Sequence, residues 1–272
     1  MKKILLSVCL VIAGCFCLVS SGYAGSPDLG HSFKIGMEYG YHEYQESGVM
    51  EETGMLQGLI GSYTYHNDKG LMANASLRLG YGELEYDGRT WGGTPLQMDT
   101  DNGILELRGL VGYDHKLKDD CFITPFIGIG YRYLNNDTNY AGGYEREIEY
   151  LYVPIGISTD SSLNNEWRWG VNMEYDLFLA GHVVSYLSDV YPAYNNLEND
   201  QDFMDGYGAR FSLHFKKEIS DNVSLSIEPF MRYWEIKDSN VSILTVYGTP
   251  VAYGYEPQND TTTYGLRISF IL

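Results

Sequence analysis

From about residue 30 onward one pattern recurs: an apolar or aromatic side chain at every second position, with glycine, serine or a charged group between, in runs of ten or more residues. A period of two belongs to an extended strand, whose successive side chains point to opposite faces. Over residues 167–179 one face reads Trp167, Trp169, Val171, Met173, Tyr175, Leu177 and Leu179, and the other Arg168, Gly170, Asn172, Glu174, Asp176 and Phe178. Residues 71–82, 207–216, 223–234 and 264–272 follow the same design. Read along the whole chain, the pattern predicts ten strands at 33–44, 55–66, 71–86, 103–117, 122–134, 148–159, 167–179, 207–217, 223–235 and 262–272. The second is the weakest, because neither of its faces is consistently apolar.

Strand length separates the two folds that alternate in this way. Strands of a soluble sandwich run to about 5–6 residues, whereas a tilted strand that crosses a bilayer needs about 9–11. The connections also alternate: 66–70, 118–120, 160–166 and 218–222 are short, and the other set is longer, with 181–206 and 236–261 the longest. A spanning barrel keeps every second connection short on the periplasmic side and extends the rest outward. The chain is therefore predicted to be all-β, a single closed antiparallel transmembrane β-barrel of about ten strands. The even count puts both termini in the periplasm.

The N-terminus supplies the route. Lys2 and Lys3 precede an apolar run over residues 4–19, and small residues lead to Ala24, as in a cleaved secretory signal. This gives a signal peptide at 1–24 and one barrel domain at 25–272. A rival reading lipidates Cys15, which follows Ile12, Ala13 and Gly14. Cleavage after Ala24 removes Cys9, Cys15 and Cys17 and leaves Cys121, so no internal disulfide is available. No later apolar run approaches the ~20 residues of a membrane helix. With 36 acids against 18 bases the net charge is −18, and it becomes −20 without Lys2 and Lys3. No basic block offsets this, which excludes nucleic acid as a partner.

Charge placement follows from the bilayer. A lysine or arginine facing lipid near the midplane costs about 2–4 kcal/mol. Lys34, Arg78, Arg108, Arg132, Arg168, Arg210, Arg232 and Arg267 all fall on the other face, with Glu38, Glu106, Glu174, Asp176 and Glu228. They are predicted to pair across a narrow lumen, where Gly36, Gly80, Gly112, Gly128, Gly130 and Gly170 make room for long arginines. The first reading of this network is a structural polar core, the second a selectivity or gating device. Tyr39, Tyr41, Tyr81, Tyr131, Tyr133 and Tyr233 lie near the outer strand ends, as an interfacial girdle requires.

The last strand, Thr263-Tyr264-Gly265-Leu266-Arg267-Ile268-Ser269-Phe270, resembles the C-terminal signal by which bacterial outer-membrane barrels are recognised for assembly. Thr263, Gly265, Ile268 and Phe270 carry the match, and Ile271 and Leu272 extend beyond it. With the N-terminal signal and the segment from Pro125 to Tyr133, the chain resembles small outer-membrane barrels of the OmpA-like and opacity-like kind. That resemblance implies an outer-membrane location, contact with lipid and lipopolysaccharide, delivery by the barrel-assembly machinery, and no cofactor. It leaves activity to what the loops carry.

The leading functional reading is a structural or surface-interaction protein with a charge-lined, plugged interior. Its outer loops would meet a protein partner through Tyr186, Leu187, Val190, Tyr191, Pro192 and Tyr194. A small porin-like channel is the alternative, and an omptin-like hydrolase a weaker one. Omptin proteases are ten-stranded and set an acidic pair opposite an Asp-His pair to activate water. Asp99 and Asp101 in one outward loop and His182 in another are the candidates, although no Asp-x-His surrounds His182. Ser185, three residues on, adds little. Glu198, Asp200, Asp202 and Asp205 are rich in oxygen but lack calcium-loop spacing, so a solvated acidic loop and no metal is predicted.

Overall fold

The computed structural model describes residues 29–90, 92–118, 121–138, 140, 142–163 and 166–272. The predicted signal at 1–24 lies outside the described residues, as do 119 and 120 of one predicted turn. The strands are β1 (Gly30–Glu46), β2 (Met50–His66), β3 (Leu71–Arg89), β4 (Pro95–Tyr113), β5 (His115–Lys118), β6 (Cys121–Asp137), β7 (Arg146–Ser162), β8 (Trp167–Ser185), β9 (Leu197–Gln201), β10 (Gly206–Ser220), β11 (Val223–Ile236), β12 (Ser242–Val246), β13 (Thr249–Gly254) and β14 (Asn259–Ile271). The wall runs antiparallel in the order β1-β2-β3-β4-β6-β7-β8-β10-β11-β14 and returns to β1, with Tyr39 opposite Leu266 at the seam. It is a closed barrel of ten strands, in which β5 continues the line of β4 along β6. At the turn end, Asn67 shows how a tight connection forms. Its Oδ1 accepts the backbone N–H groups of Lys69 (3.0 Å) and Leu71 (2.8 Å), and Gly70 takes a positive φ of 91°.

Closure leaves no strand edge for hydrocarbon to strip of its hydrogen bonds. Met37, Leu59, Leu107, Ile127, Ile155, Met173, Phe211 and Ile268 stand exposed on the outer surface and form the apolar belt. Aromatic rings bound it. Phe33, Tyr63, Tyr113 and Trp169 lie toward the turn end, while Tyr41 and Tyr264 (5.6 Å between centroids), Tyr175 and Tyr207 (5.9 Å), and Tyr207 and Tyr233 (6.0 Å) form a ring toward the loop end. From Phe33 to Tyr41 the chain rises roughly 27 Å along the strand, or about 20 Å once tilted. The wall strands run from 13 to 19 residues, so the barrel stands well above the belt.

Above the loop-end girdle the pattern inverts. Glu43, Glu83, Glu85, Asp99, Asp101, Glu147, Glu149, Glu235 and Asp260 occupy outward positions. Leu56, Leu84, Ile104, Leu134, Ile148, Tyr150, Tyr152, Phe178, Trp234 and Ile236 are buried inside. The outer surface meets water there, so the rule of a soluble protein applies: acids outward, apolar groups inward. This corrects the expectation of a polar interior throughout, since an apolar plug divides the charges of the lumen below it from a second buried group, Glu46, Glu52, Arg146 and Glu256, at the mouth.

Longer strands also shrink the loops. Residues 181–206 are not one loop, because β8 runs to Ser185 and pairs with β9, and residues 236–261 contain the β12–β13 hairpin. Opposite Leu151 and Tyr152 a bulge adds Leu179 to β8, after which Gly181 and Val183 face inward and His182 outward. The glycines do not mainly make room for arginines. A side chain at Gly130 would strike the Tyr152 ring, one at Gly170 the His214 ring, and ones at Gly36, Gly112 and Gly128 the backbone of the next strand. Only Gly80 of these has an arginine close by, with Arg78 Nη2 at 3.8 Å from a Cβ placed there. A narrow, strongly curved wall crowds inward Cβ positions against neighbouring strands before it crowds them against the lumen's contents.

The inversion sets two opposite outcomes for one kind of substitution. Ile127→Arg, within the belt, is expected to lower stability by about 2–4 kcal/mol. Glu85→Arg, equally outward but above the girdle, is expected to change it by less than about 0.5 kcal/mol. Urea unfolding from lipid vesicles, followed by the mobility of unboiled protein on a denaturing gel, measures both.

Candidate functional site

The neighbouring strands β11, β14 and β1, with β3 beyond β2, bring one carboxylate among three arginines. Register sets Glu38 of β1 opposite Arg267 of β14, and Arg267 opposite Glu228 of β11. Glu38 accepts hydrogen bonds from Arg232 (2.7 and 3.2 Å), from Arg267 (3.1 Å) and from Arg78. Glu228 accepts from Arg267 (3.0 Å) and Ser212 (2.8 Å) and lies 3.5 Å from Lys34. A second cluster centres on Arg210, which donates to Glu106 (2.5 and 3.1 Å), to Asp176 (2.6 Å) and to the Tyr152 hydroxyl (3.0 Å), and lies 3.2 Å from Glu174. Tyr152 donates in turn to Glu106 (2.7 Å), and Arg108 pairs with Glu174. Toward the turn end Arg168 pairs with Asp160, which also has His214 at 3.5 Å.

Buried ions are tolerated when each has several partners, because removing one leaves a charge without solvent or counter-ion. Arg132 is the departure. It is buried beneath the apolar plug with its guanidinium 5.9 Å from the Tyr150 ring and 5.7 Å from that of Trp234, and it forms no ion pair among the described residues. The aromatic faces take the place of a carboxylate. The thirteen residues read from the sequence as lumen charges all face inward, eight cations against five carboxylates, and Asp160 adds a sixth.

At the mouth, Arg146 of β7 donates to Glu46 (2.7 Å) and to Glu256 (3.0 Å), and Tyr44 donates to the same two carboxylates (2.9 and 3.1 Å). Burial holds the Glu256 carboxyl above the usual carboxylate range; Arg146 opposes this and the charge of Glu46 adds to it. Glu256 belongs to the connection between β13 and β14, so this group fastens the last long loop to the rim. A small apolar core of Leu187, Leu197 and Leu244, with Tyr144 and Tyr194 against it, fastens the two long loops to each other. Asn195 Oδ1 accepts from Thr245 N–H (2.6 Å) across the same contact.

The candidates for hydrolysis are not assembled. Asp99 and Asp101 lie in β4, not in a loop, opposite Glu85 and Glu83 on the outer face, and Asp101 accepts the Tyr81 hydroxyl at 2.5 Å. His182 lies on the outer face of β8 with Nδ1 at 2.8 Å from Asp200 of β9. This Asp-His pair joins residues 18 apart through strand pairing, and a search for Asp-x-His misses it. Strands β6 and β7 separate β4 from β8, so the two acids do not face His182. Asp205 is 3.6 Å from Lys237 and accepts the Asp202 N–H (3.0 Å). In the last strand Thr263 lies 2.8 Å from His42, Gly265 stands opposite Gly40, and Ile268 and Phe270 face outward. Leu272, beyond the predicted signal, completes the seam through reciprocal backbone bonds with Phe33 (2.9 and 2.8 Å).

A closed ten-stranded wall, an apolar belt between aromatic girdles and an ionised lumen define an outer-membrane β-barrel of bacteria. The chain belongs to the autotransporter beta-domain family, whose profile matches residues 29–185. No curated protein matches it. Among solved structures it is similar to the outer membrane protease OmpT from Escherichia coli, with a TM-score of 0.60 at 8% identity over 89% of this chain and 95% of that one. It is also similar to the translocator domain of the autotransporter NalP from Neisseria meningitidis (TM-score 0.46, 9% identity, 99% of this chain and 95% of that one) and to the toluene transporter TodX from Pseudomonas putida (0.37, 10%, 90% of each). Identities this low show the fold alone.

Removing the shared carboxylate tests the network. Glu38→Gln strands neighbouring arginines and is expected to cost about 3–5 kcal/mol. Lys34→Gln, at a partly exposed pair, is expected to cost at most about 1 kcal/mol. Equal losses in urea unfolding from vesicles would contradict a hierarchy centred on Glu38.

Proposed function

We propose that this barrel does not conduct and that it works at its loop end, as a structural or surface-interaction protein that meets a protein partner outside the cell. The observation that carries this reading is the plug. Tyr152 and Phe178 are 0% exposed, Trp234 packs on Tyr152 edge to face (5.1 Å) and on Tyr150 (5.9 Å), and Tyr150 meets Phe178 at 5.4 Å. These rings come from β7, β8 and β11 and meet Leu56, Leu84 and Ile104 from the other side of the wall. The placement of the longest connections at one end supports an orientation with both termini and the short turns in the periplasm. Outside, Tyr247 and Tyr253 on the β12–β13 hairpin are 83% and 77% exposed, on a segment anchored at Glu256 and Leu244. Aromatic groups presented on a fixed scaffold suit a protein contact. Lipopolysaccharide contact along the belt, and recognition of the last strand by the assembly machinery as in the OmpA-like and opacity-like barrels, belong to the same reading. A hydrolase rests only on the exposed His182–Asp200 pair.

Planar-bilayer recording decides between a plugged and an open barrel. The wild-type protein is expected to stay silent, and a Tyr152→Ala/Trp234→Ala variant is expected to give discrete steps. Reproducible steps from the wild type would favour a small channel instead.

A further inference from the structure

We propose that the lumen below the plug is a binding site for a compact, soluble polyvalent oxyanion, of the phosphate or carboxylate kind, that enters from the turn end. The cavity there has a volume of about 320 Å³. Its wall carries six cations, Lys34, Arg78, Arg108, Arg210, Arg232 and Arg267, against three carboxylates, Glu106, Glu174 and Glu228. Glu38 and Asp176 pair with these arginines from outside the cavity lining, so the wall with its partners carries six cations against five carboxylates, a positive excess in a chain whose net charge is −18. Arg108 and Arg267 each keep a buried Nε–H without an acceptor among the described residues, although each already pairs with a carboxylate through its terminal nitrogens.

The shape of the cavity limits what can enter. Thr64, His66, Asn74 and Thr124, at the turn-end termini of their strands, line it, so it opens at that end. The aromatic plug closes the other end. A blind pocket with low-dielectric walls focuses its field on whatever occupies it. Planar guanidinium groups present paired donors that match the oxygens of phosphate or carboxylate. The wall is continuous and its neck mixes Ser62, Thr64, His66 and Asn74 with Met72, Leu110 and Phe126, so it is the guanidinium groups deeper in the cavity that point to a water-soluble anion. The inference concerns the end opposite the loops and does not depend on the outer-loop reading.

Isothermal titration of the detergent-folded protein at low ionic strength, with pyrophosphate and separately with citrate, tests it. Saturable binding of at least one anion is expected, weakening as sodium chloride rises, with no heat from sucrose. Lys34→Gln removes a cation from the wall and is expected to weaken binding about tenfold. Glu228→Gln removes a competing carboxylate and is expected to tighten it. Opposite effects from two neighbours would not arise from general damage, and gel mobility of the unboiled variants confirms that each is folded. Failure of both anions to bind the wild type overturns the proposal, as does equal affinity in wild type and Lys34→Gln. Should either variant not fold, Ser76→Asp, which adds a charge to the same wall, is expected to weaken binding, and unchanged affinity there overturns it equally.

Discussion

Hydrocarbon offers a peptide group no hydrogen-bond partner, and each unpaired N–H or C=O left in it costs several kcal/mol. Ten strands meet this constraint only by closing, and the seam between β1 and β14 is where closure is completed. It runs in unbroken register from Lys34 opposite Ile271 to Glu46 opposite Asn259, and Leu272 adds two backbone bonds to Phe33. Closure fixes everything inside. A ten-stranded wall encloses a lumen too wide to fill with glycine and alanine alone, so the long inward side chains meet partners across the bore.

Two solutions to that filling problem are stacked in one molecule, and the aromatic girdle marks their boundary. Within the belt the outward positions are taken by apolar groups, which leaves the inward ones to charges, and pairing in clusters around Glu38 and Arg210 offsets their desolvation. Above the belt the outer face meets water, and Leu84, Ile104, Leu134 and Trp234 turn inward as they would in a soluble protein. Arg132 sits at the junction and belongs to both halves, a cation from the charged layer stacked on aromatic rings of the plug.

Much of this was legible in the sequence, because inside a bilayer the alternation of faces is enforced at every residue. The ten wall strands and the inward side of Arg78, Arg108, Arg132, Arg168, Arg210, Arg232 and Arg267 follow from parity alone. Parity tells which face a residue takes, but not what that face meets. Leu134 and Trp234 share faces with Arg132 and Arg232, so the plug cannot be separated from the charged layer without knowing where the membrane ends. The extra residue at Leu179 reverses parity within β8, and it alone moves His182 outward to meet Asp200. Strand β9 is short and polar, and β12 and β13 form a hairpin of only five and six residues, so no period long enough to read announces them. The role of the inward glycines is not legible for a related reason: wall curvature, which crowds Gly36 and Gly128 against backbone, is a property of the closed barrel and not of any one strand.

The same stacking separates the two ends of the molecule. The plug isolates the cationic cavity from the mouth, so charges at one end can change without reshaping the other. At the mouth, Arg146 holds Glu46 and Glu256 together, and the core of Leu187, Leu197 and Leu244 ties the long loops to each other. The exposed side chains of the β12–β13 hairpin, Tyr247 and Tyr253 among them, make no part of either anchor. Their identity is set by what they meet outside rather than by what holds the barrel closed, which is the arrangement a surface needs if its contacts are to vary while its fold does not.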